Sequence, residues 1–235
     1  MNFTTHNTIP AALTDPRAKP SDAQATCDVL RTAYQRQWIT SRDGNISFRE
    51  AGQNDWWITP SGALKYALAP ADLKQVNDLS PCAEYAMHTG VSGEFALHRA
   101  LHAQRLRRTT AVVHLHPTYT VAALYAGLAL DQICLAFPEI ARYTRVGPSV
   151  PALAATSAEL AQACEQAFLT CPCGQTPDII GLDRHGVVAV GRDPWSAYEH
   201  IERLEHICQM VLASGAGRRQ QRQAEAATRP GQEVY

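Results

Sequence analysis

The sequence lacks any excess of charge of one sign: 21 Lys and Arg stand against 22 Asp and Glu, for a net charge of −1. That balance provides neither the basic footprint of a nucleic-acid binder nor a cationic membrane-surface helix, so small molecules and further copies of the chain are the expected partners. Also missing are an apolar run approaching the ~18 residues of a membrane span and a basic-then-apolar N-terminus of the secretory kind, so the expected location is the cytoplasm. There is no paired C-x-x-C, and the seven cysteines are an odd number, which argues against a disulfide framework. Cys27, Cys134, Cys164 and Cys208 sit among apolar neighbours and read as reduced core residues. Cys171 and Cys173 form a lone C-x-C in TCPCGQTP, a spacing able to ligate metal that reads better as loop. No internal repeat is present, and no H-E-x-x-H signature of a zinc hydrolase.

The remaining sequence fits one domain over 21–215, with polar tails at 1–20 and 216–235. Ser21 and Gln24 form a capping-box pattern that opens a helix running towards Trp38. NISFRE and DWWIT read as a hairpin turning over Ala51 to Asn54. SGEFALHRALHAQRL is helical, TAVVHL a buried strand, and TVAALYAGL a helix following Pro117. FPEIARYTRVGPSVPAL reads as loop, and a helix from Ser157 to Phe168 leads into the strand pair DIIGLD and GVVAVG. Asp193 caps the last helix, Pro194 takes its first turn, and Trp195, Tyr198, Ile201, Leu204, Ile207 and Val211 form its apolar stripe.

Three histidines carry the chemistry. In an extended strand side chains alternate between faces, so His114 and His116 project together while Leu115 points into the core. His185 lies in the link between the last two strands, where Gly186 is expected to permit a tight turn that presents the imidazole. Three neutral imidazoles bind zinc and leave a tetrahedral ion one open position. Glu94 stands at a helix start, where backbone N–H groups and the helix dipole favour an ionised carboxylate, a placement shared by general bases and by plain capping glutamates. His98, one turn on, shares its face, and orients the carboxylate or is simply structural. His88 and His102 receive no role. Gly44-Asn45, Thr59-Pro60-Ser61-Gly62 and Ser92-Gly93 offer N–H groups and hydroxyls of the kind that cradle phosphate, although each taken singly is ordinary turn chemistry.

In order along the chain, GNIS, ITPSG, SGE with a histidine four residues later, HLHP and HGVVAVG resemble the class II aldolase/adducin family over roughly residues 25 to 213. The resemblance implies a three-layer α/β/α sandwich around a mainly antiparallel sheet, assembled as a homotetramer with active sites at subunit interfaces. It implies a Zn2+ site at His114, His116 and His185, with Mn2+ or Co2+ as other ions that imidazoles accept, and Glu94 as metal ligand and base. Phosphate binding falls to Asn45, Ser61, Gly62, Ser92 and Gly93. A tyrosine of a neighbouring subunit serves the family's aldolases as proton donor, and here Tyr143 is the candidate, with Tyr235 second. Two departures stand out. Gly93 replaces a second serine, and Asp43, bordering the phosphate segment, would repel that ligand unless Arg42 offsets it.

The implied reaction is metal-dependent cleavage or formation of a carbon–carbon bond in a ketose 1-phosphate through a zinc-stabilised enediolate. The same scaffold also hosts methylthioribulose-1-phosphate dehydratases, sugar-acid phosphate decarboxylases and epimerases, and the non-catalytic adducin module. Retention of three histidines and the glutamate argues against the last.

Overall fold

The computed structural model describes residues 21–77, 90–104, 110–169 and 175–215. His88, Cys171, Cys173, Tyr235 and both tails lie outside the described residues. Six strands, β1 (Asn45–Arg49), β2 (Asp55–Ile58), β3 (Lys74–Asn77), β4 (Thr110–Leu115), β5 (Ile179–Leu182) and β6 (Gly186–Gly191), form one sheet in the order β3-β2-β1-β4-β6-β5. Every pairing between neighbours is antiparallel. Among the described residues there are seven α-helices: α1 (Ser21–Gln35), α2 (Phe95–Gln104), α3 (Thr118–Tyr125), α4 (Leu130–Leu135), α5 (Pro138–Ala141), α6 (Ala158–Leu169) and α7 (Pro194–Ala213).

The central strand β4 is buried at all six positions, and its alternate residues enter different cores. Ala111, Val113 and Leu115 join Ile46 and Phe48 of β1 with residues of α1, α3, α4 and α7 in the larger cluster. Val112, on the opposite face of the sheet, joins Val188 and Val190 of β6 with Leu97 and Leu101 of α2 and Leu160, Cys164 and Phe168 of α6. The face of β4 that carries His114 is therefore the face under α2 and α6. Cys27, Cys134, Cys164 and Cys208 are buried thiols, as their neighbours predict.

Local chemistry explains most element ends. Asp193 accepts from the Ser196 N–H at 2.7 Å while Ser196 Oγ accepts from the Asp193 N–H at 3.0 Å, a reciprocal cap, with Pro194 in the first turn of α7. Along the stripe of α7, Tyr198, Ile201, Leu204 and Ile207 are buried, whereas Trp195 is exposed and stacks edge-on against Tyr198. Ser157 caps α6 by accepting from the Leu160 N–H at 3.1 Å. The first helix stops at Gln35, short of Trp38, because Gln37 turns the chain with φ of 60°. Gln24 does not close a capping box; its amide donates forward to Asp28 at 3.0 Å. The sequence pattern also missed β3, α4 and α5, which are short elements of four to six residues.

The helix that follows HLHP is tied down from a distance. Buried Glu205 of α7 accepts from the backbone N–H groups of Tyr119 and Thr120 at 2.9 and 2.7 Å and from the Thr120 hydroxyl at 2.8 Å. A carboxylate on the open amides of a helix start is favoured by charge as well as by hydrogen bonding. It anchors the chain just beyond His116.

Candidate metal centre and its pocket

His114, His116 and His185 converge, with ligand nitrogens all within 4.8 Å of one another. His114 and His116 meet at 2.9 Å between their Nε2 atoms. A tetrahedral ion at ~2.0–2.1 Å from each nitrogen needs them roughly 3.4 Å apart, so the cluster fits such an ion with small side-chain adjustments. The Nδ1 of His114 lies 2.9 Å from the Val187 carbonyl; as the carbonyl only accepts, Nδ1 carries the proton and Nε2 presents its lone pair to the cluster. Burial, with repulsion from His114 and His185, pushes His116 down to about 3. Burial also lowers His185. Both shifts favour the neutral imidazole at His116 and His185, the form a metal takes.

Glu94 lies just ahead of α2, buried, with Oε2 3.4 Å from His114 Nε2 and Oε1 3.5 Å from His185 Nε2. Burial alone would raise its pKa. His114, the Asn45 amide, His185 and His98 outweigh burial, and the net shift is downward. The Asn45 side chain donates to Oε2 at 2.9 Å. Asn45 lines the pocket with the other residues of the expected phosphate cradle, and its amide nitrogen also meets the carboxylate.

The turn that carries His185 differs from expectation. Leu182 pairs with Gly186 across Asp183, Arg184 and His185, and the positive φ of 55° falls on Arg184. Gly186 is needed for space: a Cβ there would lie 2.4 Å from the Leu115 carbonyl oxygen and 2.7 Å from Cδ2 of His116.

A pocket of about 270 Å³ opens over these groups, lined among others by Arg42, Ser61, Gly62, Lys65, Ser92 and Gly93. Its two turns are zipped together, with the Ser61 N–H donating to the Gly90 carbonyl at 2.8 Å and the Ser92 N–H to the Thr59 carbonyl at 3.0 Å. These bonds consume two backbone donors; Ser61 and Ser92 both line the pocket, and Ser92 Oγ accepts from the Glu94 N–H at 3.3 Å. Thr156, with φ of 65°, stands against Gly93: a Cβ on that glycine would lie 3.0 Å from its methyl group. Arg42 donates to the Gly62 carbonyl, and the buried Lys65 ammonium donates to the carbonyls of Arg42 and Ala63 at 3.0 and 3.2 Å. Asp43 is held ionised mainly by the Thr40 hydroxyl. Two cations therefore offset one carboxylate at this wall. A second pocket, of about 600 Å³, shares Asp43 and His116 with the first and is walled by Tyr34, Trp38, Ile39 and Thr40.

Tyr143 is 56% exposed and does not line either pocket; its ring packs against the guanidinium groups of Arg142 and Arg203. His98 and His102, by contrast, are fully buried beneath Glu94. From sequence, His98 stood between two roles and His102 had none.

Residues 24–212 match the family model described as the class II aldolase and adducin N-terminal domain, and the chain belongs to that family. An L-fuculose phosphate aldolase of Methanococcus maripaludis is 28% identical over 190 residues, covering 77% of this chain and 91% of the relative. A probable bifunctional methylthioribose-1-phosphate isomerase/methylthioribulose-1-phosphate dehydratase of Nocardia farcinica is 27% identical over 204 residues, 79% of this chain. The chain spans only 34% of that longer relative. Among solved structures, the L-fuculose-1-phosphate aldolase from Thermus thermophilus superposes with a TM-score of 0.62 at 25% identity, covering 89% of this chain and 98% of that one. Metal dependence and lyase chemistry are features of this family's aldolases, and no helix among the described residues is long and apolar enough to cross a membrane.

Proposed function

We propose that the chain is a zinc-dependent aldolase that cleaves or forms a carbon–carbon bond in a ketose 1-phosphate. The observation that carries this reading is the position of the Glu94 carboxylate, 3.4 and 3.5 Å from two imidazoles of the three-histidine cluster, at the floor of the serine- and glycine-lined pocket. His114, His116 and His185 would hold the ion, with Glu94 as a further ligand before substrate enters. When bound, the ion supplies Lewis-acid polarisation of the carbonyl and adjacent hydroxyl oxygens of the substrate.

The chain's own groups do the rest. Ser61, Gly62, Ser92 and Gly93 receive the phosphate, with Arg42 and Lys65 supplying positive potential from one wall. Glu94 removes a proton from the carbon next to the carbonyl in the condensation direction. Its Oε1 is the oxygen that the Asn45 amide leaves open. The pocket walled by Tyr34 and Trp38 receives the aldehyde partner. Tyr143 acts in the site of a neighbouring subunit of a homotetramer, a role consistent with its exposure away from its own pocket. The sheet with helices on both faces is a three-layer sandwich, and the protein works in the cytoplasm. A second reading, dehydration of a ketose 1-phosphate on the same site, is favoured by the similarity to the Nocardia relative.

The deciding experiment incubates zinc-loaded protein with dihydroxyacetone phosphate in D2O and follows loss of the C3 proton signal by NMR, with a chelated control. Metal-dependent exchange supports the aldolase. Absence of exchange in protein that retains its metal rejects this donor and favours the dehydratase.

A further inference from the structure

Beneath the carboxylate, helix and strand present matched rows. Glu94, His98 and His102 recur every four residues on and just before α2, a spacing of about 6 Å along a helix axis. Asn45, Ser47 and Arg49 recur every two residues on β1, about 6.6 Å along a strand. The two rows interlock. Asn45 Nδ2 donates to Glu94 Oε2 at 2.9 Å; Asn45 Oδ1 meets His98 Nε2; His98 Nδ1 meets Ser47 Oγ at 2.6 Å; and Ser47 Oγ meets His102 Nε2 at 2.8 Å. Arg49 donates to the His102 carbonyl and Trp56 packs on the His102 ring. Asn45 is 8% exposed and Ser47, His98 and His102 are fully buried, so no solvent competes for these bonds.

The direction of every bond follows from one charge. An ionised carboxylate only accepts, so the Asn45 atom facing Glu94 is its NH2 group, and its oxygen faces His98. That oxygen requires a proton on His98 Nε2. A neutral imidazole protonated there has its lone pair on Nδ1, which only the Ser47 hydroxyl proton can meet. Ser47 oxygen then accepts from His102 Nε2–H. Burial pushes His98 down to about 3, consistent with the neutral ring this order requires.

We infer that His98, Ser47 and His102 are positioning residues, a buried one-way hydrogen-bond chain that fixes the Asn45 amide with its N–H towards Glu94 and so holds the carboxylate in place against the imidazole cluster. The inference rests on the reading of Glu94 as the reacting base, but the orientation itself is open to measurement without turnover.

Long-range 1H–15N correlation spectra of the uniformly labelled full chain, with and without zinc, report the tautomers directly. Protons on Nε2 of both His98 and His102 are expected; a proton on His98 Nδ1 would reverse the chain and overturn the inference. The kinetic arm uses dihydroxyacetone phosphate exchange in D2O with Ser47→Ala, His98→Leu and His98→Gln, each checked for folding and zinc stoichiometry. Ser47→Ala and His98→Leu should lose about 10–100-fold in the exchange rate at saturation, with KM and zinc content unchanged. His98→Gln, whose amide reproduces one donor and one acceptor, should recover most of the loss. Full rates in a folded His98→Leu protein would also overturn the inference. Failure of the wild-type protein to exchange at all would count against the aldolase reading alone, since the tautomers still decide the chain.

Discussion

Replacement of Gly186 by alanine should damage fold and metal centre together. The new Cβ would stand 2.4 Å from the Leu115 carbonyl oxygen, 2.7 Å from Cδ2 of His116 and 3.2 Å from Cε1 of His114. Ordinary contact begins near 3.4 Å, so strand β4 and the His116 ring must give way by about 1 Å. Leu115 pairs with Val187 at that point, and the strand is buried along its whole length, so the shift strains the ladder instead of an exposed loop. Overpacking of this kind costs about 1–3 kcal/mol. Displacing the support of a ligand imidazole typically weakens metal binding about 10–100-fold. Urea unfolding of metal-free protein measures the first quantity and zinc competition against a chromophoric chelator the second. Gly181→Ala provides the comparison: its Cβ would strike Leu130 and Leu124 at 2.7 and 2.9 Å, on side chains away from the histidines. It should destabilise with little change in zinc affinity. Wild-type zinc affinity in Gly186→Ala, or an equal loss in Gly181→Ala, would refute the close-approach argument.

Glu94→Gln should fold and keep its zinc, because the three imidazoles remain, yet lose about 10²–10⁴-fold in metal-dependent exchange; full exchange in this variant rejects Glu94 as the base. His98 makes the metal-free protein acid-sensitive: its folded pKa of about 3 lies below the ordinary 6.5, so the unfolded chain binds the proton first and stability is lost as pH falls from 6.5 towards 3. The slope is about 1.4 kcal/mol per pH unit for one imidazole, and chemical unfolding from pH 7 to 4.5 should show a correspondingly shallower fall in His98→Gln. Burial pushes the Cys164 and Cys208 thiols up to about 12. Mass-resolved alkylation at pH 8 should leave both unlabelled until denaturant is added; rapid native labelling at either position would contradict their burial.

The convergence of His114 and His116 is legible because its geometry is local. His114 and His116 share a face through the two-residue period of a strand, and burial of all six β4 residues is what an uninterrupted TAVVHL run predicts. His185 required pairing information that a single sequence lacks, namely that β6 lies beside β4 with Leu115 opposite Val187. The family motifs supplied that link indirectly. The short strand β3 and helices α4 and α5 escaped notice because four to six residues hold too little of a period to register, and their formation depends on the neighbours they meet.

Gly186 shows why a correct residue can be given the wrong reason. It was expected to permit the tight turn, but the left-handed residue of that turn is Arg184, and Gly186 makes room for a strand far away in sequence, at Leu115 and His116. Asn45 carries a contact the sequence does not show: it lines the pocket with Ser61, Gly62, Ser92 and Gly93, and the arrival of α2 over β1 also brings its amide to Glu94. Yet one signal for the buried chain was present before any fold was known. Glu94, His98 and His102 keep a four-residue period, while Asn45, Ser47 and Arg49 keep a two-residue one. Their axial spacings, about 6 Å and 6.6 Å, nearly coincide. Polar rows of equal pitch on a helix and a buried strand can satisfy one another without water, which is the condition for placing so many polar groups inside a sheet-and-helix interface.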